Sequence, residues 1–319
     1  MAAFRFAMQA SGAASPGAWR DFARKCEDMG YSTLYAPDHL DEQWSPMVAC
    51  AVAAEATTTL RVGTLVLDND FRHPVLAARE AATLDVVTGG RFEFGIGAGW
   101  LTADYEQSGI PMDRPSVRIG RLAESLEIMR SLWQTGSATF HGEHYQVPAA
   151  KGFPAPVTSG GPPLVIGGGG RRILTLAGRY ASIVSVVPSL AAGYIGPEVA
   201  AEAILDRYHD RVRWAREAAG ERAGDLELQC WTATVQVVVT GAPEGDGKWH
   251  LRLDDGVVAE AAAGTVAAPD LTLTVAYPEG AAMAAGELDP SVAFMQGRMK
   301  TAGDPGLVLD VLAGAAQAR

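Results

Sequence analysis

Four stretches of this chain place reactive or ligand-holding residues where a strand-like run gives way to a turn. In the first, LYAPDHL, Asp38 and His39 stand side by side. Imidazole titrates near neutrality, so His39 is the candidate proton donor or acceptor and Asp38 its candidate partner. An isolated histidine serves equally well as a structural hydrogen-bonding group, and only its strand-end position lifts His39 above that reading. In the second stretch, GIGAGW, Gly95, Gly97 and Gly99 lead into Trp100. Glycine accepts positive φ and lets the backbone approach a ligand with no Cβ between them. The same spacing also suits a tight strand-to-helix corner. In the third, Gly167, Gly168, Gly169 and Gly170 precede Arg171 and Arg172. Successive amides at a helix start, the positive end of the macrodipole and two guanidinium groups together form a cradle for a phosphate. Arginines in a first helical turn oppose the dipole unless an anion offsets them; the alternative is a flexible loop. The fourth, Asp68-Asn69-Asp70, closes the apolar run LRVGTLVL.

Each stretch needs an element to hold it, and the chain supplies these as repeated strand-then-helix units. Phe4 to Met8 reads as a strand. Ser15-Pro16 then opens a helix with a capping hydroxyl and proline at its first position, and Gly30 ends it. Thr33 to Ala36 and Leu60 to Leu67 are the next strands, followed by helices begun at Ser45-Pro46 and His73-Pro74. Phe92, Phe94 and Ile96 alternate with smaller or polar residues in a fourth strand. A long helix follows, carrying Ile119, Leu122, Leu126, Met129 and Trp133 on one face. Thr139 to Gly161 reads as a Gly- and Pro-rich loop lying over the mouth of the fold. Leu164 to Ile166 and Ser182 to Val187 continue the series, and a seventh strand begins near Leu226. The pattern predicts an α/β fold, a (β/α) TIM-type barrel lacking a recognisable eighth unit. Chemistry in such a barrel gathers at the C-terminal ends of the strands, where all four stretches fall.

Composition narrows the function classes. With 48% hydrophobic residues in 319, the chain can bury a full core. No run approaches the ~18 apolar residues of a membrane span, and the N-terminal stretch is broken by Arg5, so the expectation is a cytoplasmic protein without membrane insertion. Cys26, Cys50 and Cys230 are scattered, which supports neither a disulfide framework nor a metal site. A formal net charge of −11 disfavours nucleic acid and anionic membranes as partners. An anionic ligand therefore needs a local basic pocket, from Arg171 and Arg172 with Arg72 or Lys151 in support.

The motifs LYAPDHL, LRVGTLVLDNDFRHPVLAARE, TGGRFEFGIGAGW and PPLVIGGGGRR, in this order and spacing, resemble the luciferase-like monooxygenase family, in particular its deazaflavin-dependent branch, over about residues 4–228. The resemblance implies a barrel that holds coenzyme F-420, or alternatively FMN, at its C-terminal face, with a hydride passing to or from the ring. It places Asp38 and His39 near the ring, with His39 as acid or base. It places Leu65 and Val66 at a non-proline cis bulge behind the ring, with Asp68 beyond them. Gly97, Ala98, Gly99 and Trp100 would follow the ring and tail, and Gly167 to Gly170 with Arg171 and Arg172 the phosphate. Sugar-phosphate dehydrogenases of this family carry a glutamate where this chain has Trp100, so their specific chemistry is not implied.

The remainder differs in kind. Trp231 to Gly241 and Lys248 to Leu253 read as a hairpin, and one long strand over Asp225 to Val239 would serve both parts. Residues 231–312 resemble the sterol carrier protein type 2 family, on the strand pair around Lys248-Trp249, on Pro269-Asp270-Leu271-Thr272, on Gly286 to Pro290 and on Phe294 to Arg298. The implied organisation is a barrel over 1–228 and a small α+β sterol-carrier-like domain over 229–319. Phe294, Met295, Met299 and Leu307 are candidates to line an apolar tunnel, or are the ordinary core of a small domain. Residues from 231 on hold 5 Lys or Arg and 11 Asp or Glu, so this part is unsuited to docking on anionic lipid. The resemblances together imply hydride transfer between F-420 and an apolar or lipid-like small molecule, in a chain that forms homodimers as barrel relatives often do. Two alternatives stand beside that expectation: an FMN-dependent monooxygenase, and a non-catalytic lipid-binding protein with a degenerate barrel.

Overall fold

The computed structural model describes residues 5–41, 43–190, 193, 205–229, 232–241, 243, 245–254, 257–267, 269, 271–284 and 298–303. The chain packs as two units, Met1–Ser185 with Arg213–Leu228, and Val186–Val212 with Gln229–Arg319.

In the first unit strands and helices alternate: β1 (Ala7–Gln9), α1 (Pro16–Asp28), β2 (Thr33–Ala36), α2 (Pro46–Glu55), β3 (Arg61–Thr64), β4 (Leu67–Asp68), α3 (Pro74–Val87), β5 (Phe92–Gly97), α4 (Thr102–Ser108) and α5 (Pro115–Thr135). After β6 (Ser137–His141) and β7 (Gln146–Lys151) the alternation resumes with β8 (Leu164–Gly168), α6 (Arg171–Tyr180), β9 (Ile183–Val186), α7 (Leu205–Ala219) and β10 (Glu227–Gln229). Proline opens α1, α2, α3 and α5, where its missing N–H has no partner to lose. The Ser15 hydroxyl caps α1 by accepting from the Ala18 amide at 3.1 Å. The sheet runs β1-β2-β3-β5-β8-β9-β10, with β4 also on β5, and β1 to β8 pair in parallel. This is the TIM-like α/β arrangement expected from the sequence, and it is incomplete: among the described residues no strand pairs β10 with β1.

Under the sheet, Phe92 and Phe94 are fully buried, and Phe94 meets Trp133 of α5 edge-on at 5.7 Å. Each such ring contributes on the order of 2–3 kcal/mol by leaving water. A buried polar cluster occupies the N-terminal ends of the strands. Glu93 accepts from Arg5 Nη1 at 2.9 Å, from Arg61 Nε at 2.7 Å and from the Tyr35 hydroxyl. Arg5 also donates to both carboxylate oxygens of Glu227, at 2.7 and 2.8 Å from Nη2. Arg5 precedes β1 and Glu227 opens β10, so an ion pair bridges two edges that no strand joins among the described residues.

Two readings are corrected. The region 139–161 is not all loop: β6 and β7 form an antiparallel hairpin, Ser137 opposite Lys151 and His141 opposite Gln146. Its turn is held by tertiary bonds that periodicity does not report, since the Glu124 carboxylate of α5 accepts the amides of Glu143, His144 and Tyr145. The long strand over 225–239 is two strands in two sheets, β10 and β11 (Thr232–Thr240).

The second unit holds a five-stranded sheet ordered β13-β12-β11-β14-β15, with β12 (Gly247–Asp254), β13 (Val257–Ala263), β14 (Leu271–Ala276) and β15 (Met299–Gly303). Central β11 pairs antiparallel with β12 and parallel with β14, and α8 (Tyr277–Ala284) follows β14. Leu271, Leu273 and Val275 are buried while Thr272 and Thr274 are half-buried, the period-2 signature of a one-sided sheet. Met299, opposite Val275, is buried. The other tunnel candidates, Phe294, Met295 and Leu307, lie outside the described residues.

Candidate active site at the strand ends

The C-terminal ends of β2, β4, β5 and β8 are brought together because these strands belong to one sheet. Asp38 and His39 follow β2, and the two side chains part company. His39 Nδ1 lies 2.7 Å from Asp104 Oδ2 on α4, and Asp104 Oδ1 accepts the Leu40 amide at 3.0 Å. A carboxylate oxygen accepts, so Nδ1 carries the hydrogen in this contact and Nε2 is the nitrogen without a protein partner among the described residues. Trp100 meets the imidazole edge-on at 5.5 Å, and the histidine side chain remains 22% exposed. The result is a fixed imidazole with one nitrogen available for proton exchange.

Asp38 is buried and fully engaged. Arg72 binds it through both guanidinium nitrogens, Nη2 to Oδ1 at 3.0 Å, and the Asp68 amide donates to Oδ2 at 3.0 Å. The pair thus pins the end of β2 to the start of the next turn, and Arg72 is unavailable to an anionic ligand. Between them the Leu65–Val66 peptide bond is cis. Both side chains are half-buried, with Leu65 packed against Tyr35, Val165 and Ile183.

The alternate glycines of β5 answer to protein neighbours. A Cβ on Gly97 would stand 2.8 Å from a Val66 methyl, and one on Gly95 would strike the Thr64 carbonyl. Gly99, at φ +69°, turns where the Asp68 carboxylate and the Tyr105 hydroxyl fill the space a side chain would need. Ala98, Gly99 and Trp100 keep part of their surface open. Asp68 itself is buried; burial first, then the charges of Asp70 and Asp38, push its carboxyl up to about 6 against the opposing bonds from the Asp70 amide and the Tyr105 hydroxyl. Asp70 accepts from Tyr105 at 3.1 Å and from Arg121 at 2.8 Å.

The glycine run behaves differently from a strained loop: none of Gly167 to Gly170 has positive φ. Gly167 and Gly168 end β8, Gly170 is the N-cap of α6, and Gly168 admits the Ile173 side chain. Arg171 and Arg172 are exposed in the first turn, with the Arg171 guanidinium 6.0 Å from the Trp214 ring. The hairpin turn also reaches the site's rim, where Tyr145 accepts from Asn69 Nδ2 at 3.3 Å. Sequence reasoning missed Asp104 as the partner of His39. A carboxylate in the first turn after the glycine strand was its only signal.

Residues 1–241 match the luciferase-like monooxygenase family. The chain belongs to that family. Residues 216–313 match the SCP-2 sterol transfer family, and the two matches share 216–241. Among luciferase-like relatives, a 4-hydroxyprotoasukamycin monooxygenase of Streptomyces nodosus subsp. asukaensis is 38% identical over 120 residues, covering 36% of this chain and 32% of that one. An F420-dependent glucose-6-phosphate dehydrogenase of Amycolatopsis mediterranei is 29% identical over 168 residues, half of each chain. The chain thus spans a third to a half of the length of these two relatives. Its fold is that of the coenzyme F420 dependent tetrahydromethanopterin reductase from Methanopyrus kandleri, with a TM-score of 0.61 and 21% identity over 74% of this chain and 67% of that one. Among the described residues no helix is long and apolar enough to cross a membrane, and no group of three or more His, Cys, Asp or Glu is placed to hold a metal.

Proposed function

We propose that the barrel unit is an oxidoreductase that passes a hydride between coenzyme F-420 and a small apolar substrate, with His39 moving the accompanying proton. The observation that carries this reading is the His39–Asp104 pair, a fixed, partly exposed imidazole whose Nε2 has no protein partner among the described residues, at the strand ends of a luciferase-like fold. F-420, when bound, supplies a ring that gives or takes hydride. The residues present suit such a ring. Leu65 and Val66 offer a half-buried apolar floor, and the open backbone from Ala98 to Trp100 adds no large side chain before the indole. Gly168 to Gly170 and the exposed Arg171 and Arg172, at the positive end of α6, suit an anionic tail.

The chain's own contributions are positional and protonic. Asp104 holds the His39 tautomer, so that Nε2 takes a proton from, or returns one to, a substrate oxygen. Asp38 acts through position, with Arg72 fixing the Leu65–Asp68 turn. Trp100 shields one edge of the imidazole from water. The second unit, on the strength of its SCP-2 match, would bind the apolar substrate or a lipid.

A second reading, an FMN-dependent monooxygenase, is favoured by the 38% identity over 120 residues to a monooxygenase. Parallel fluorescence titrations with F-420 and FMN separate the two. Binding of F-420 alone supports the proposal and binding of FMN alone supports the second reading. Binding of neither, with a fluorescent fatty acid still taken up, would reduce the barrel to a scaffold and leave a lipid-binding protein.

A further inference from the structure

Seven buried side-chain atoms among the described residues lack any hydrogen-bond partner, and three of them, Asp70 Oδ1, Arg118 Nε and Arg121 Nε, belong to one chain of contacts: Arg118 lies over the Tyr105 ring, Tyr105 donates to Asp70, and Asp70 accepts from Arg121. Arg121 is otherwise satisfied, by Asp70 and by Asp113 at 2.8 Å each. Arg118 is not. It is only 6% exposed, and among the described residues its guanidinium has no hydrogen bond or ion pair; its one contact of note is the Tyr105 ring, 5.6 Å below.

A guanidinium stays charged at every pH the fold survives. Burying it without a counter-charge is unfavourable, and the cation–π contact offsets only part of that. Its place makes matters worse, because Arg118 lies in the first turns of α5, where the macrodipole is positive. The carboxylates of this cluster are engaged by other groups. Asp70 gives Oδ2 to Tyr105 and Arg121, and Asp113 is taken by Arg121. Native folds rarely leave such a group alone, and a bound water, an ion or a ligand is what completes one.

We propose that Arg118, lying across Tyr105, is a binding site for an oxyanion, the carboxylate or phosphate of a small-molecule ligand. The guanidinium keeps its two Nη outside the sealed atoms, Nε alone being closed off, and that Nη pair is the fork that matches two oxygens of one such group. The Tyr105 hydroxyl, 3.3 Å from Asp68, links this seat to the Gly99 turn of the strand-end site. The oxyanion thus belongs either to the substrate or to the cofactor's tail; in both cases it is distinct from the group held at Arg171 and Arg172.

Thermal unfolding of the full chain in inorganic phosphate and in acetate, against sodium chloride at matched ionic strength, tests this. The expected result is a rise in Tm with the oxyanions that follows single-site mass action. Arg118→Met, which removes the lone buried charge but keeps the volume, should lose that rise and melt no lower than the parent without added anion. Arg118→Gln is the second variant should the first fail to fold, and it too should lose the response. Arg171→Ala with Arg172→Ala should keep it. No response in the parent chain would overturn the proposal and leave water around Tyr105. A response kept in the Arg118 variants but lost in the Arg171 and Arg172 variant would overturn it equally. F-420 titrated into parent and Arg118→Met identifies the source: roughly tenfold or greater weakening, the value of one charge-assisted pair, means the cofactor's tail. Unchanged affinity with the phosphate response lost means the substrate's oxyanion. The phosphate and acetate arm needs no cofactor, so it stands or falls apart from the F-420 reading.

Discussion

The barrel unit buries polar clusters at both ends of its sheet, and the two are built on opposite terms. At the N-terminal end Glu93 is saturated by Arg5, Arg61 and Tyr35, and Arg5 is closed off by Glu227. At the C-terminal end His39 keeps one nitrogen free of protein, Asp68 is held near neutral pH in its titration, and Arg118 has no anion. Saturation makes a cluster architectural, since every group is already spoken for. Incompleteness is what a site needs, because an unfilled valence is where a ligand or a proton goes.

Substitutions should therefore separate the two ends by what they disturb. The largest effect is expected from Asp104→Asn. A side-chain amide turned toward His39 donates to Nδ1 and moves the hydrogen to Nε2, so turnover with F-420 and a screened substrate should fall by about 10²–10⁴-fold. Cofactor affinity and Tm should hold; equal losses in all three would make Asp104 architectural. At the other end, Glu93→Gln leaves Arg5 and Arg61 facing a neutral amide and should destabilise by about 3–5 kcal/mol in urea unfolding, with F-420 binding by the surviving fold intact. A loss of binding without a loss of stability there would dissolve the distinction.

Asp68→Asn should act in the reverse sense. The folded carboxyl titrates at about 6 against an ordinary 3.8, so the folded chain holds that proton more tightly. Its contribution favours folding only while the proton is on, and it fades as pH rises from about 4 through about 6. Above that the charge opposes folding by roughly 2–3 kcal/mol. The asparagine variant should accordingly gain stability at pH 7–8 by up to about that amount and gain nothing near pH 4, as a pH series of unfolding curves would reveal. The smallest effect belongs to the exposed pair Arg24–Asp21, neither saturated core nor open site: Arg24→Ala should shift stability by under ~0.5 kcal/mol.

The scaffold was legible where local chemistry writes it. Proline at first helical positions, the alternation of Phe92, Phe94 and Ile96, and the glycine stops marked the units that hold Asp38, His39 and the glycine strand. What escaped were bonds between distant residues. Nothing near Asp104 says that His39, 65 positions earlier, is its partner, and nothing near Glu124 announces the hairpin turn it holds. The apolar face of α5 was readable from Leu122, Leu126, Met129 and Trp133, but the same buried face carries Arg118 and Ser125, which hydrophobic periodicity passes over. The spacing of Gly95, Gly97 and Gly99 points toward a ligand; the missing Cβ atoms of Gly95 and Gly97 make way for Thr64 and Val66, and that of Gly99 for Asp68 and Tyr105. A sequence reports that room is needed and not who uses it.

The bridge between Arg5 and Glu227 spans 222 positions of chain. At a ribosomal pace of about 5–20 residues per second, Arg5 emerges roughly 10–45 s before its partner is made. Through that interval β1 and β2 can pair, but the guanidinium has only the Thr33 hydroxyl and, once made, Glu93 to hold it, and the sheet's two edges stay apart. The fold's last fastening is therefore set by the clock of translation, and a chain released early would carry every strand-end motif on a sheet with nothing drawing its edges together.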